Sequence, residues 1–129
     1  MDQECFEPGI SYSKSELRSF IEHPGAVTLV AADGEAIQGF VVVQGGKVGH
    51  VITIDVGPRA RRMGIGSLLL GAAEQRLGTT GSRAVGLETA VDNLSALAFY
   101  KQHGYSVVRT WPRYYSNGVD ALVLKKALS

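Results

Sequence analysis

The stretch VGPRARRMGIGSLLL, residues 56–70, joins a run of β-branched residues to a run of leucines. It contains three arginines and two closely spaced glycines: Arg59, Arg61, Arg62, Gly64 and Gly66. Where a strand leads into a helix, the first helical N–H groups lack backbone partners and carry the positive end of the helix dipole. Glycines let a ligand approach this backbone, and guanidinium groups add positive charge. The stretch therefore predicts a binding site for an extended phosphate group, with a plain solvated turn as the alternative.

Two common phosphate-binding motifs do not fit this stretch. A P-loop contains Gly-Lys-Ser or Gly-Lys-Thr, whereas Gly66 is followed directly by Ser67. A dinucleotide fingerprint needs a third glycine, and Leu69 occupies that position. Gly64 and Gly66, with Glu88 further along the chain, meet only part of that pattern. The identity of the phosphate ligand has to come from the rest of the chain.

The composition is that of one compact domain without a general affinity for polyanions. The chain has 129 residues, of which 45% are hydrophobic, and a formal net charge of +1. These values suit a single core and give no electrostatic reason to bind nucleic acid or a membrane surface. Cys5 is the only cysteine, and the first ten residues lack the features of a signal peptide. We expect a cytoplasmic protein with one domain over residues 1–129 and no metal.

Hydrophobic periodicity predicts the secondary structure. The capping-box spacing of Ser13 and Glu16, with the stop at His23-Pro24-Gly25, predicts a short helix over residues 13–22. Alternating apolar runs predict six strands, over residues 26–32, 39–44, 48–56, 83–91, 105–110 and 121–126. Helical spacing predicts two more helices, over residues 67–77 and 94–103. This order predicts a mixed α/β fold with one sheet, a βαβ crossover and flanking helices.

Three blocks of this sequence resemble the GCN5-related N-acetyltransferases, the GNAT family. RRMGIG, residues 61–66, matches the family's R/Q-x-x-G-x-G/A loop. LETAVDNLSALAFYKQHGY, residues 87–105, matches its later motif of a strand glutamate, a helix-opening asparagine and a tyrosine. RYYSNGVDALVL, residues 113–124, is similar to the RimI-like branch, the ribosomal-protein N-terminal-alanine acetyltransferases. The resemblance implies the GNAT fold, a mostly antiparallel sheet with a central splayed parallel pair.

The resemblance implies acetyl-coenzyme A as the cosubstrate. Its pyrophosphate is implied to bind the loop and the helix start, through Arg61, Arg62, Met63, Gly64, Ile65, Gly66 and Ser67. The pantetheine arm is implied to pair like an added strand with the backbone around Ile54 and Val56, because its amides need partners. Asn93 matches the family asparagine that contacts this arm. An asparagine in this position is also a favourable helix N-cap, and the two roles can coexist.

The resemblance also implies two catalytic residues. Glu88 matches the glutamate proposed as general base, and Tyr100 matches the tyrosine proposed as general acid, for direct attack of an amine on the thioester. Such a transfer needs an amine without its extra proton and a proton for the departing thiolate. Strand alternation places Glu88 with Gly86 and Ala90, while helical spacing places Tyr100 and Asn93 on one face. A solvent-facing glutamate and a core tyrosine are the alternatives.

Paired tyrosines and the chemistry of amines bear on the acceptor. Tyr114 and Tyr115 match paired tyrosines that line the peptide cleft in the RimI-like branch. An α-amine titrates near about 8 and a lysine near about 10.4, so deprotonating lysine costs roughly 3 kcal/mol more at neutral pH. This favours the N-terminal α-amine of a protein; a small-molecule amine and a non-catalytic acyl-CoA-binding module are the alternatives. His50 is an alternative base, and His23 and His103 are expected only to terminate elements.

The start of the chain departs from the family pattern. Family members usually have a strand and a longer helix before the segment that matches residues 13–22. We therefore expect the first strand and helix to be missing, which would leave a strand edge uncovered. A second copy covering that edge would give a homodimer.

Overall fold

The computed structural model describes residues 16–23 (backbone), 26–34, 36–57, 64–114 and 117–128. These residues form seven strands and two helices: β1 Glu16–His23, β2 Ala26–Asp33, β3 Ala36–Gln44, β4 Val48–Val56, α1 Ile65–Thr79, β5 Ala84–Ala90, α2 Leu94–Gln102, β6 Ser106–Trp111 and β7 Ala121–Ala127. The strands form one sheet in the order β1-β2-β3-β4-β5-β7-β6. All neighbouring strands are antiparallel except β4 and β5. The predicted mixed sheet with one central parallel pair is confirmed.

The segment predicted as a helix over residues 13–22 is a strand where the structure describes it, so this prediction was wrong. Glu16–His23 pairs antiparallel with β2. The spacing of Leu17, Phe20 and Ile21 suits a helix, but phenylalanine and isoleucine also favour strands. Pairing satisfies the backbone N–H and C=O groups along β2, and this tertiary interaction overrides the local helical pattern.

β1 covers the edge of β2 that the sequence led us to expect uncovered. The sheet therefore begins one strand earlier than predicted, and both described helices follow β4. Within the described residues the edge of β2 is therefore covered, and β1 is the outermost strand of the sheet. The homodimer stays a prediction.

The other predicted elements lie within a few residues of their expected positions. One difference is at β3, which begins at Ala36 although residue 39 was expected to open it. Gly39 lies inside the strand, and a Cβ added there would lie 2.7 Å from the carbonyl oxygen of Asp55 on β4. Glycine at this position permits the close approach of the two strands and does not end β3.

Helix α1 packs against one face of the sheet and forms the core with it. Its fully buried residues follow helical spacing: Ile65, Leu69, Leu70, Ala73 and Leu77. They pack against apolar residues from the strands, chiefly Val41, Val43, Val51, Val85, Leu87 and Leu124. Burying each large aliphatic side chain contributes about 1.5–3 kcal/mol. This core fixes α1 across the parallel pair.

The parallel pair β4–β5 separates soon after it forms. Its ladder has three residue pairs, from Val48↔Ala84 to His50↔Gly86. Beyond His50, β4 pairs with β3 alone among its neighbours. Because the strands are parallel, their carboxyl ends lie at the same end of the sheet, where α1 and α2 begin. The separation of β4 from β5 leaves a gap there. Crevices of this kind, outside the carboxyl ends of parallel strands, commonly bind ligands.

Candidate active site

A groove of about 360 Å³ lies between the carboxyl ends of β4 and β5. Its walls come from both strands and both helices: Ile54, Val56, Gly66, Thr89, Asn93, Ser95, Ala96, Phe99 and Tyr100. Five of these were predicted as site residues, namely Ile54, Val56, Gly66, Asn93 and Tyr100. The structure therefore brings together residues that lie in separate blocks of the sequence.

The start of α1 is built around two glycines. Gly64 adopts the left-handed conformation, with φ 76° and ψ 14°, and its carbonyl accepts a hydrogen bond from the N–H of Leu68 at 3.0 Å. Among the described residues, no side chain caps this helix start. A Cβ added to Gly66 would lie 3.4 Å from Cζ of Phe99, so glycine lets α2 pack closely against α1. The first helical N–H groups can thus meet an anion beside the groove.

Of the remaining residues predicted to bind the coenzyme, the structure describes Ile65 and Ser67. The side chain of Ile65 is fully buried, so it can contribute only through its backbone. Ser67 is exposed and its hydroxyl lies at the helix start. Arg61, Arg62 and Met63 lie outside the described residues.

Helix α2 presents Asn93 and Tyr100 to the groove, as their spacing predicted. The Oδ1 atom of Asn93 accepts a hydrogen bond from the N–H of Ala96 at 3.2 Å, so Asn93 is the N-cap of α2. Tyr100 is 7% exposed. Its ring packs edge-on against Phe99 and Tyr105, with centroid distances of 5.4 and 5.9 Å. The ring orientation of Tyr100 is therefore fixed by packing.

Glu88 lies on the face of β5 opposite the groove-lining Thr89, because successive strand residues alternate. Nε2 of His50 lies 2.8 Å from Oε1 of Glu88 and 3.1 Å from Oε2. Glu88 is half-buried and His50 is 40% exposed, so solvent and a ligand can reach the pair. His50 is adjacent because it is the last residue of β4 that pairs with β5, opposite Gly86. The sequence offered His50 as a rival base, and the structure makes it the hydrogen-bond partner of Glu88.

Tyr114 lies in the connection between β6 and β7. Its ring packs on Trp111, with centroids 5.2 Å apart, and both side chains are exposed. Arg113 has φ 49°, and its N–H donates to Oδ1 of Asp120 at 2.9 Å, which holds this turn. Trp111 pairs with Ala121, which in turn pairs with the last residue of β5. The aromatic pair therefore lies at the same end of the sheet as the gap, while Tyr115 lies outside the described residues.

Several groove residues and one contact between the helices were not predicted from the sequence. Thr89, Ser95, Ala96 and Phe99 line the groove, and helical spacing from Asn93 could have identified Ala96. His103 ends α2 as expected, but its Nε2 also lies 3.0 Å from Oγ of Ser67 on α1. No short-range pattern indicates that contact, because 36 residues separate the two partners.

Two titratable groups near this contact have displaced pKa values. Burial lowers the pKa of His103; Glu74 opposes this shift and Lys126 adds to it. Burial and a 2.8 Å hydrogen bond to Glu74 raise the pKa of Tyr105 far above its usual range, so this phenol stays protonated. Lys126 completes the cluster with a 2.9 Å ion pair to Glu74. Tyr105, Glu74 and Lys126 join α1 to the end of the sheet and have a structural role.

Two further findings concern metal ligands and helix length in the described residues. In these ranges, no three His, Cys, Asp or Glu side chains come together to hold a metal ion. Neither α1 nor α2 is long and apolar enough to cross a membrane.

Comparisons with known sequences match the chain to acetyltransferases. The acetyltransferase (GNAT) family model matches residues 1–105. The chain is 31% identical over 116 residues to N-alpha-acetyltransferase 30 of Schizosaccharomyces pombe, covering 85% of this chain and 77% of that one. It is 36% identical over 83 residues to an N-alpha-acetyltransferase of Sulfurisphaera tokodaii, covering 64% of this chain and 50% of that one. The chain thus spans about half the length of the archaeal relative.

Solved structures share the fold. Ard1 from Thermoplasma volcanium superposes with a TM-score of 0.75 at 28% identity, covering 79% of this chain and 70% of that one. The NatC complex bound to Gag peptide and CoA has a TM-score of 0.71 at 26% identity, with 79% and 71% covered. The ribosomal-protein-S18-alanine N-acetyltransferase of Escherichia coli has a TM-score of 0.76 at 19% identity, covering 92% of this chain and 83% of that one. At that identity the likeness is one of fold alone, so the RimI-like assignment stays a prediction.

Proposed function

This chain belongs to the acetyltransferase (GNAT) family and is an acyltransferase, and from that premise we propose that it acetylates the N-terminal α-amine of a protein or peptide, with acetyl-coenzyme A as cosubstrate. The observation that carries the proposal is the arrangement around β5. Tyr100 lines the groove on one side of the strand, and Glu88 points to the other side with His50 against it. A donor and an acceptor approaching from opposite faces would meet at the β4–β5 gap.

The groove fits the coenzyme in shape and chemistry. An extended chain of amides can bind along β4 at Ile54 and Val56, where the strand has separated from β5. The exposed start of α1, at Gly64 to Ser67, suits the pyrophosphate. The structurally similar NatC complex was determined with CoA bound, which supports this assignment. The bound coenzyme would supply the acetyl group as a thioester.

Glu88 serves as the general base in this proposal. An α-ammonium must lose one proton before its nitrogen can attack the thioester carbon, and the Glu88 carboxylate accepts that proton directly or through one water. His50 acts as a positioning residue, since its ring nitrogen lies within hydrogen-bond distance of both carboxylate oxygens. The pair holds the carboxylate beside the gap before the acceptor arrives.

Tyr100 serves as the general acid. When the new C–N bond forms and the C–S bond breaks, the sulfur leaves as a thiolate that needs a proton. Tyr100 lines the groove, and packing against Phe99 and Tyr105 fixes its ring. A phenol held in this way can donate its proton at one defined position. The proton lost from the amine and the proton gained by the sulfur therefore pass through different residues.

The acceptor class follows from the chemistry and the aromatic turn. One carboxylate suits an α-amine better than a lysine, whose deprotonation costs roughly 3 kcal/mol more at neutral pH. The Trp111–Tyr114 pair offers exposed apolar surface at the same end of the sheet, which suits a peptide that follows the amine. The relatives named N-alpha-acetyltransferase support this choice. The proposal includes acceptor contacts by Tyr114 and Tyr115, which the similarity of RYYSNGVDALVL to the RimI-like branch implies.

Two versions of one peptide test the proposal. One version carries a free α-amine and a capped lysine, and the other carries a blocked N-terminus and a free lysine. Coenzyme A release from acetyl-coenzyme A is followed with a thiol reagent, using peptides with several first residues, alanine and serine among them. Mass spectrometry locates the acetyl group.

The proposal expects turnover with the free α-amine and at most a trace with the free lysine. Turnover confined to the lysine version would contradict the acceptor class. Silence on both peptides, with turnover on polyamines, amino acids or aminoglycosides, would replace the proposal by a small-molecule acetyltransferase. Coenzyme binding without turnover on any amine would indicate a non-catalytic acyl-CoA-binding module.

A further inference from the structure

The contact between Ser67 and His103 joins the two helices beside the groove. Nε2 of His103 lies 3.0 Å from Oγ of Ser67, the third residue of α1. The His103 ring also packs on Phe99, a groove-lining residue, with centroids 4.7 Å apart. His103 is therefore one hydrogen bond away from the helix start that we assign to the pyrophosphate. It is also one ring contact away from the groove wall.

The charged groups that face His103 come from two other elements. Glu74 on α1 and Lys126 on β7 form an ion pair with each other, and the hydroxyl of Tyr105 donates to Glu74. Both oxygens of Glu74 are thus engaged, at 2.9 and 2.8 Å. Burial outweighs the pull of Glu74 and lowers the pKa of His103 below 6.5. Burial therefore favours the neutral form of the His103 imidazole in the chain alone.

We propose that His103 is a coenzyme-binding residue that takes up one proton from solvent when the diphosphate of coenzyme A binds at the start of α1. This inference rests on the proposed coenzyme site and is independent of the acceptor. An anion within a few ångströms favours the charged imidazolium. Binding and protonation then strengthen each other, so the affinity for the coenzyme rises as the pH falls.

The hydrogen bond to Ser67 gives this coupling a geometric basis. A neutral imidazole can accept the Ser67 hydroxyl hydrogen at Nε2, which turns that hydrogen away from any other acceptor. An imidazolium can only donate, so Ser67 Oγ becomes the acceptor and its hydrogen is released. The released hydroxyl can donate to a phosphate oxygen. Protonation of His103 thus reverses the polarity of the bond and adds one donor at the helix start.

Calorimetric titration of the full chain with 3′-dephospho-coenzyme A tests the coupling. This probe keeps the diphosphate but lacks the 3′-phosphate, a group whose own second pKa lies near about 6. Binding is measured from pH 6 to pH 8 in buffers of different ionisation enthalpy, which reports the protons taken up. The wild-type chain is expected to bind about three- to tenfold more tightly at pH 6 than at pH 8, with net proton uptake. His103→Gln is expected to lose both the proton uptake and the slope of affinity against pH.

Lys101→Gln is the matched control, because Lys101 is an exposed lysine on the same helix. Lys101→Gln should keep the wild-type slope of affinity against pH, and any loss of affinity should be equal at every pH. Thermal unfolding verifies that His103→Gln is folded. An unchanged slope in His103→Gln, or no proton uptake by the wild-type chain, would overturn the inference. A normal slope without turnover on α-amine peptides would instead contradict the proposed function.

Discussion

The two sides of strand β5 are built in different ways. On the groove side, the described surface combines Gly66, apolar side chains and the start of a helix with four polar side chains, those of Thr89, Asn93, Ser95 and Tyr100. On the opposite side, a carboxylate and an imidazole from two strands meet, with an aromatic pair at the same end of the sheet. The helix start and the close approach of the backbone suit the proposed coenzyme. The carboxylate, imidazole and aromatic contacts suit the proposed acceptor.

The largest expected effect separates chemistry from coenzyme binding. Glu88→Gln should lower kcat by about 10²–10⁴-fold, because general-base catalysis contributes factors of this size. The dissociation constant for acetyl-coenzyme A should stay within about twofold, since Glu88 does not line the groove. Steady-state kinetics and calorimetry on one preparation measure both.

Glu74→Gln is the control for removing a carboxylate. Glu74 bonds Tyr105 and Lys126 and lies outside the groove lining, so its loss should lower stability and spare most of the turnover. If Glu88→Gln keeps more than about a tenth of the wild-type kcat, general-base catalysis by Glu88 is contradicted.

The next effect falls on the groove side. Gly66→Val should weaken coenzyme binding by roughly 10- to 100-fold, because branched atoms would meet the ring of Phe99 and fill the groove at a cost of about 1–3 kcal/mol. Gly71→Val is the matched control on the same helix, since a Cβ added at Gly71 meets nothing within 4 Å. Titration of both variants with coenzyme A gives the comparison. Equal affinity in the two variants would place the coenzyme elsewhere.

A smaller effect is expected from the residue that holds the base. His50→Gln should lower kcat by about 5- to 30-fold, equivalent to the roughly 1–2 kcal/mol of one hydrogen bond, and should leave coenzyme affinity unchanged. kcat should fall more than the acceptor KM changes, because positioning acts on the transition state. A larger loss in His50→Gln than in Glu88→Gln would assign the base to His50, the alternative that the sequence offered.

Asn93 tests whether one residue serves both the fold and the groove. Asn93→Ala should lower the free energy of unfolding by about 1 kcal/mol through loss of the N-cap on α2. Asn93→Asp keeps a capping oxygen and should recover that stability. If Asn93 also contacts the coenzyme arm, both variants should weaken coenzyme binding in calorimetry. Normal affinity in Asn93→Asp would limit Asn93 to capping.

The smallest expected effect is on the pH dependence of the free energy of unfolding. The pKa of His103 is lower in the folded chain than its ordinary value of 6.5, so the unfolded chain binds more protons just below pH 6.5. The free energy of unfolding should therefore fall as the pH decreases through this range. His103→Gln should fall less steeply in urea denaturation between pH 5 and pH 7.5. A slope as steep as that of the wild type would remove His103 as its source.

The two sides also differ in how far the sequence predicts them. Turn chemistry predicts a phosphate site at Gly64 and Gly66, and helical spacing places Asn93 and Tyr100 on one face. The family resemblance implied that the loop and this helix serve one site. His50 and Glu88 are 38 residues apart, and only the register of β4 on β5 brings them together. Register depends on the whole sheet and leaves no local signal. Ser67 and His103 meet for a similar reason, through the packing of α1 and α2.

The misassigned first segment has a different cause. Residues 16–23 have apolar residues at helical spacing. They nevertheless pair with β2 as the edge strand of a sheet whose other strands lie later in the sequence. Local pattern and tertiary pairing disagree there, and pairing prevails because β2 needs a partner for its backbone groups. In the central strands the local pattern and the pairing agree, because their alternating apolar residues and β-branched side chains favour the strand conformation that they adopt.

The most direct test of the central claim uses one molecule that occupies both sides of β5. A peptide is joined through its N-terminal α-amine and an acetyl bridge to the sulfur of coenzyme A, and an isomer is joined through a lysine amine instead. We expect the α-linked conjugate to bind at least about tenfold more tightly than coenzyme A alone and more tightly than its isomer. We also expect Tyr114→Ala to weaken binding of the α-linked conjugate and to leave the affinity for coenzyme A unchanged. Equal affinities for both conjugates and coenzyme A would contradict a site in which donor and N-terminal acceptor meet at the β4–β5 gap.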